Sequence, residues 1–203
     1  MKYPKLRELK EALRAIIKGP YTTSFPKKPV TVCERLRGRP YFHEQDCIGC
    51  AACAQVCPTG AIEFKDEVVD GKWLRSFVVH WDVCIFCGQC QANCPTGKGI
   101  ILSSEFAFAT CKGRSELQCK MQKELVICEH CGNKILPYEQ YLWVAARLGV
   151  LCFTNPSLIV FSLRRFGLAL KDKFKEFVGG ELFRADRFRI LCPRCRREVV
   201  IKS

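Results

Sequence analysis

A chain of 203 residues, 48% hydrophobic and 26% charged, carries enough apolar material for a folded core and too much for a disordered tail. Its formal charge of +13 excludes an acidic protein and favours anionic partners. The stretch 148–163, free of charged residues, is broken by Asn155 and Pro156 and falls short of the ~18 apolar residues of a membrane span.

The opening Met1-Lys2-Tyr3-Pro4-Lys5 lacks the apolar core and small-residue cleavage site of a secretory signal, so a location inside the cell is expected. From residue 5 to 18, Leu6, Leu9, Leu13, Ile16 and Ile17 recur at helical spacing among Lys5, Arg7, Lys10, Arg14 and Lys18. This pattern predicts a basic amphipathic helix closed by Gly19-Pro20. Such a helix either packs on its own domain or docks on a membrane surface or membrane subunit.

Sixteen cysteines in a chain without a secretory signal point to metal rather than disulfides, because all but Cys33, Cys111, Cys119 and Cys152 fall in CxxC-type clusters. Cys47, Cys50, Cys53 and Cys57, followed by Pro58, recur as Cys84, Cys87, Cys90 and Cys94, followed by Pro95. Each copy reads C-x2-C-x2-C-x3-C-P, the spacing that ligates [4Fe–4S] cubanes in bacterial two-cluster ferredoxins. Three cysteines on one tight loop can reach three irons of a cube, while the fourth, expected on the following helix, points to the neighbouring cluster. The expected ligand sets therefore cross: Cys47, Cys50, Cys53 and Cys94 for one cluster, and Cys84, Cys87, Cys90 and Cys57 for the other. Gly49 and Gly88 suit tight loops, and Ile48, Ile85, Ile62 and Ile100 are expected to exclude water from the cubanes.

Between the repeats, residues 61–65 and 73–80 flank Asp70-Gly71 and read as a β-hairpin. Gly99-Ile100-Ile101-Leu102 follows the second motif as Gly60-Ala61-Ile62 follows the first. The expected fold is thus a pseudo-twofold α+β ferredoxin-like domain. Further on, Cys128-Glu129-His130-Cys131 and Cys192-Pro193-Arg194-Cys195 form two knuckles whose four thiolates suit one structural Zn²⁺ in a ribbon-like module, although the gap between them exceeds the usual ribbon spacing. Iron in a rubredoxin-like centre fits the same S4 set. The stretch 138–178 between the knuckles reads as a helical insert broken at Asn155-Pro156. Its Tyr141, Trp143, Leu148, Phe153, Leu158, Ile159, Phe161, Phe166, Leu168 and Leu170 are expected either to pack a core or to face a partner protein. Segments of 1–40, 41–108 and 109–203 follow from these motifs.

With two cubanes and a Zn(Cys)4 site at about −2 each, the loaded protein keeps a charge of roughly +7. No recognition helix or aromatic single-strand platform accompanies that charge, so acidic subunits or anionic lipid fit better than nucleic acid. No Ser-His-Asp set, nucleotide-binding glycine loop or open zinc site is present, so no catalytic residue is expected.

Thr22-Thr23-Ser24-Phe25-Pro26, Arg37-Gly38-Arg39-Pro40, Cys47-Ile48-Gly49-Cys50-Ala51-Ala52-Cys53 and Cys84-Ile85-Phe86-Cys87-Gly88-Gln89-Cys90 together resemble the two-cluster subunit shared by respiratory complex I and membrane-bound [NiFe] hydrogenases. With the added knuckles, the chain looks most like the version found in formate hydrogenlyase. The resemblance implies a non-catalytic electron relay in a multi-subunit complex at the cytoplasmic side of the membrane, between a donor module and a [NiFe] hydrogenase-type module. A complex I-type subunit, a free ferredoxin, and an iron–sulfur nucleic-acid-binding protein with a zinc ribbon are the alternatives.

Overall fold

The computed structural model describes residues 5–19, 22–168 and 180–201. Residues 1–4, 20–21 and 202–203, and the stretch 169–179 with Leu170 and the end of the expected helical span, lie outside the described residues. The chain divides into two compact units, Met1–Leu36 and Arg37–Ser203.

In the first unit, α1 spans Leu6–Lys18. The Lys5 N–H donates to the Glu8 carboxylate at 3.0 Å, which satisfies one of the donors a helix start leaves open. Glu8 in the first turn and Lys18 in the last both complement the helix dipole. Gly19 ends the helix at φ 78°, and no residue of α1 is buried.

The second unit is built on two antiparallel sheets. β1 (Pro40–Phe42) pairs with β4 (Ile100–Leu102), with Tyr41 opposite Ile101. β2 (Ile62–Val69) and β3 (Lys72–His80) form the hairpin, whose turn places Asp70 and Gly71 at φ 51° and 75°, the left-handed pair that matches strand twist. β5 (Gln118–Ile127) then runs antiparallel to β3, and β6 (Lys134–Pro137) follows it, giving the order β2-β3-β5-β6. The segment after residue 108 therefore continues the ferredoxin sheet. The compact unit runs from Arg37 to Ser203, and within it β5 is hydrogen-bonded along β3 from Leu74 to His80.

Period-2 alternation points Phe77 and Val79 of β3 inward, opposite Met121 and Cys119 of β5. Val79, Ile62, Ile100 and Trp81 form one core with Cys53 and Cys90, while Phe77 and Met121 enclose Ala51. The Trp81 indole N–H donates to the Pro40 carbonyl at 2.9 Å in a buried contact that ties β3 to the start of β1. The Arg39 guanidinium lies 4.7 Å from the Trp81 ring and pairs with Glu105.

The insert between the knuckles is helical in two pieces: α4 (Tyr138–Leu148), then a 3-10 stretch, and α5 (Pro156–Arg165). The Asn155 side chain caps α5 by accepting from the Ser157 N–H at 3.1 Å, with Pro156 at the first helical position. Tyr141, Leu158 and Phe161 pack with Val126, Cys152 and Ile190, the Tyr141 and Phe161 rings 4.3 Å apart. Leu148, Phe153, Phe166 and Leu168 are exposed, so the apolar residues of the insert divide between a core and a surface. The last helix, α6, spans Pro193–Ile201.

Gly38 marks a close crossing of strands. Its N–H donates to the Ser103 carbonyl at 2.8 Å, and a Cβ there would sit 2.7 Å from that oxygen and collide with the Glu105 carbonyl. Both obstacles are backbone and cannot swing away. Gly38→Ala is expected to lower the thermal midpoint of the anaerobically prepared protein by roughly 4–8 °C, the equivalent of ~2 kcal/mol. Differential scanning fluorimetry reads this directly.

Candidate metal centres

The two cysteine motifs fold alike. In each loop two residues take left-handed φ: Gly49 (70°) and Ala51 (62°) in the first, Phe86 (53°) and Gly88 (79°) in the second. These residues turn the chain sharply enough for successive cysteines to face one point, and glycine occupies only one of the two positions in each loop. Ala51 and Gly88 are also the N-caps of two single-turn helices, α2 (Ala52–Gln55) and α3 (Gln89–Ala92), which carry the buried Cys53 and Cys90. The fourth cysteines were expected on these helices and instead lie just past the C-caps Val56 and Asn93. The reason is local: Pro58 and Pro95 disfavour helical backbone at the residue before them.

This placement sends each fourth cysteine across the domain. One cavity is lined by Cys47, Cys50, Cys53 and Cys94 together with Phe42, Ile48, Phe77 and Ile100. A second is lined by Cys84, Cys87, Cys90 and Cys57 with Pro40, Ile62, Ile85 and Leu102. They hold about 310 and 350 Å³ of space not filled by protein, part of it open to solvent. Four sulfur donors in an apolar cavity fit a cubane, and a bound [4Fe–4S] cluster would supply one-electron redox chemistry there.

The thiols within each set differ. Burial, reinforced by the neighbouring cysteines, pushes Cys53 up to about 12 and Cys90 up to about 11. Burial also raises Cys47 and Cys84 against backbone N–H groups of Gly49 and Phe86, and Phe86 donates to Cys84 Sγ at 3.4 Å. Burial opposes ionisation of Cys57 as well, but the Thr59 hydroxyl and the N–H groups of Ile62, Thr59 and Ala61 outweigh it and lower the thiol. Cys94 repeats this arrangement: burial is outweighed by the Thr96 hydroxyl, at 3.3 Å, and by the N–H groups of Thr96, Gly99 and Ile100. Thr59 and Thr96 stand at the same offset after their cysteines, a signal visible in the repeat but absent from the motif as read.

The two loops are not equally covered. Ile48 is 8% exposed, whereas Ile85, expected to shield its cluster, is 60% exposed and only lines the rim. Packing explains the difference. A Cβ on Gly49 would lie 3.1 Å from the Pro137 ring and 3.3 Å from Lys123 Cβ, so β5 and β6 press on the first loop. On the second loop, Arg37 lies beside Gly88 and donates to the Cys87 carbonyl at 2.8 Å.

The knuckles converge on a third centre. The Sγ atoms of Cys128, Cys131, Cys192 and Cys195 all lie within 4.8 Å of one another, an arrangement that can hold one metal ion. Cys128–Cys131 occupy the turn between β5 and β6, but the second knuckle opens α6, where a zinc ribbon would have a second hairpin. Pro193 starts the helix at once, and the N–H groups of Cys192 and Cys195 point to Cys128 Sγ at 3.3 Å and Cys192 Sγ at 3.5 Å. Burial and the adjoining thiols of Cys131, Cys192 and Cys128 raise Cys195. A dication would reverse that by displacing the protons.

Residues other than the cysteines bring the knuckles together. Glu129 accepts from the Ile190 N–H at 3.0 Å and pairs with Arg164, and its own N–H donates to the Ile190 carbonyl. The buried Ser157 hydroxyl donates to the Arg189 carbonyl at 2.7 Å and accepts from the Leu191 N–H. Thus α5 orders the approach to Cys192. His130 stays partly exposed beside the site. Cys33 and Cys111 are exposed, Cys119 borders the ferredoxin core and Cys152 is buried in the insert core.

Residues 37–98 match the family model of the 4Fe-4S dicluster domain. That stretch is a dicluster ferredoxin domain. The chain is 37% identical over 66 residues to formate hydrogenlyase subunit 6 of Escherichia coli (strain K12), a match of 32% of this chain and 37% of that protein. It is 38% identical over 62 residues to NADH-quinone oxidoreductase subunit I of Pseudomonas fluorescens, 28% of this chain and 34% of that one. These matches span little more than a third of the curated relatives. Among solved structures, a chain of the membrane-bound sulfane sulfur reductase, an archaeal respiratory membrane complex, aligns with TM-score 0.38 and 26% identity, covering 58% of this chain and 61% of that one.

The cysteines that line the two cavities and those of the four-cysteine centre are different residues. Cys192→Ser should abolish stoichiometric metal at the knuckles, measured by mass spectrometry of metals in the purified chain, and retain at least three-quarters of the acid-labile sulfide.

Proposed function

We propose that this chain is an electron-transfer subunit that relays electrons through two [4Fe–4S] clusters in a membrane-associated oxidoreductase of the formate hydrogenlyase and [NiFe] hydrogenase type. The observation that carries this reading is the pair of adjacent cavities, each lined by four cysteines drawn from both motifs. Cys47, Cys50, Cys53 and Cys94 hold the first cluster, and Cys84, Cys87, Cys90 and Cys57 hold the second. Cys53 and Cys90 belong to one core with Ile62, Val79 and Ile100, so the two sites are separated by packed apolar side chains rather than by water. That packing limits reorganisation when charge moves and keeps the clusters at fixed positions. Substrate conversion belongs to partner proteins.

The 37% identity to formate hydrogenlyase subunit 6 supports the hydrogenase-type assembly, with one end of the relay at a donor module and the other at a [NiFe] module. Identity of 38% to NADH-quinone oxidoreductase subunit I favours, as a second reading, a complex I-type assembly. In either, Cys128, Cys131, Cys192 and Cys195 bind one redox-silent Zn²⁺ that closes the helical insert into a docking module. No helix among the described residues is long and apolar enough to cross a membrane. Attachment at the cytoplasmic face is therefore assigned to the surface: the apolar stripe of α1, none of it buried, flanked by Lys10, Arg14 and Lys18.

The anaerobically purified protein should contain about eight iron and eight acid-labile sulfide. Cys57→Ser should perturb the EPR signal of one cluster, the same one perturbed by Cys87→Ser and not by Cys50→Ser; four iron per chain in the parent protein would sink the reading. Deleting residues 1–18 should leave both signals intact and reduce co-fractionation with the membrane subunits at least fivefold, and unchanged co-fractionation would remove α1 from the attachment.

A further inference from the structure

β5 alternates inward and outward residues, and its inward positions include Met121, Lys123 and Leu125. A lysine in such a series has to be explained, because burying an ammonium is costly unless it is paired and hydrogen-bonded. The Lys123 side chain is 7% exposed. Its Nζ donates to the Glu44 carbonyl at 2.7 Å and to Glu139 Oε1 at 3.3 Å. Glu44 lies just before Cys47, and Lys123 Cβ packs against Gly49, so this side chain touches the first cysteine loop on both sides of Cys47.

We propose that Lys123 is a potential-setting residue: its buried ammonium, held against the Cys47–Cys50 loop, raises the reduction potential of the cluster in the first cavity. This rests on the two-cluster reading. On reduction that cluster gains one electron from its redox partner, moving from about −2 to about −3 with its four thiolates, and no proton needs to move. A fixed positive charge in low dielectric favours the more negative state, and net charge is among the factors that set cubane potentials.

The surrounding charges leave that field in place. Glu139 is 36% exposed against 7% for the lysine it meets, so it is the less buried member of the pair, although its Oε2 is itself covered. Its Oε2 has no hydrogen-bond partner among the described residues, so Lys123 is its main anchor there. Arg75 also reaches the loop, through the Gly49 carbonyl at 3.2 Å, but its guanidinium is paired with Asp66 by two hydrogen bonds, at 2.7 and 3.1 Å. Lys134 pairs with the same carboxylate and is half-exposed. The attraction of Lys123 reaches Cys47, whose thiolate it favours.

The test is a mediated potentiometric titration of the full chain, followed by low-temperature EPR, for Lys123→Met, Lys123→Arg and Glu139→Gln. In Lys123→Met, the couple that Cys50→Ser perturbs should shift down, lowering its reduced-to-oxidised ratio at fixed potential roughly threefold to tenfold, where tenfold is ~59 mV for one electron. The other couple should move less than half as far. Lys123→Arg should stay near the parent value, and Glu139→Gln should move the same couple upward. Unchanged potentials, equal movement of both couples, or shifts of the same sign in Lys123→Met and Glu139→Gln would overturn the proposal. Should Lys123→Met not assemble its clusters, the upward shift of Glu139→Gln decides the matter alone. Absence of two cubane couples in the parent protein is a different result, which fails the two-cluster reading itself.

Discussion

Each cysteine cavity of the ferredoxin domain takes three thiols from one motif and the fourth from the other, and most of the structure follows from that exchange. Neither cavity exists until both loops have formed and α2 and α3 lie side by side. The proline after each motif turns the fourth cysteine out of helical conformation, and Thr59 and Thr96 then hold it with a hydroxyl and a fan of backbone N–H groups. Burial makes thiols such as Cys53 harder to ionise, while the hydroxyl and N–H groups make these crossing thiols easier to ionise than an ordinary cysteine. Assembly of a metal cluster would work with the polar groups at Cys57 and Cys94 and against burial at Cys47, Cys53, Cys84 and Cys90, where the charge of the metal would supply the balance.

A pseudo-twofold pair of motifs would make the two cavities equivalent, and the C-terminal segment removes that equivalence. β5 extends the hairpin sheet, and β6 brings Pro137 onto Gly49, so one loop is roofed by protein while Ile85 of the other faces out. At Gly49 the left-handed backbone and the contact above it both favour glycine. Phe86, its counterpart, is free of that roof and packs its ring edge against Phe108 at 5.8 Å. Through β5 and the start of α4, the segment carrying the knuckles also brings the buried Lys123, paired with a partly exposed Glu139, to the same loop.

The four-cysteine centre sits where the β5–β6 turn meets the irregular segment at Ile190 and the first turn of α6 that follows it. Bringing the distant second knuckle to the first is an entropic cost that grows only slowly with the length of the insert. Glu129 and Ser157 offset it by hydrogen-bonding to the backbone just ahead of Cys192, and the Tyr141–Phe161 core fixes α4 against α5. A metal bound there would lock elements that already converge.

The sequence alone determined the features whose information is local. Cysteine spacing within each motif dictates a tight loop, Asp70-Gly71 dictates a hairpin turn, and the apolar repeat of Leu6, Leu9, Leu13 and Ile16 dictates an amphipathic helix, because neighbouring residues are covalently forced to act together. Tertiary structure decided what depends on which distant strands pair. Only the β3–β5 register turns Lys123 inward and lays it on the first loop, only the packing of Pro137 separates a sheltered Ile48 from an exposed Ile85, and only the start of α6 at Pro193 makes the second knuckle a helix end. Spacing encodes the geometry of a loop, whereas burial and field at a site are sums over neighbours from all parts of the chain, and those neighbours are chosen by the fold.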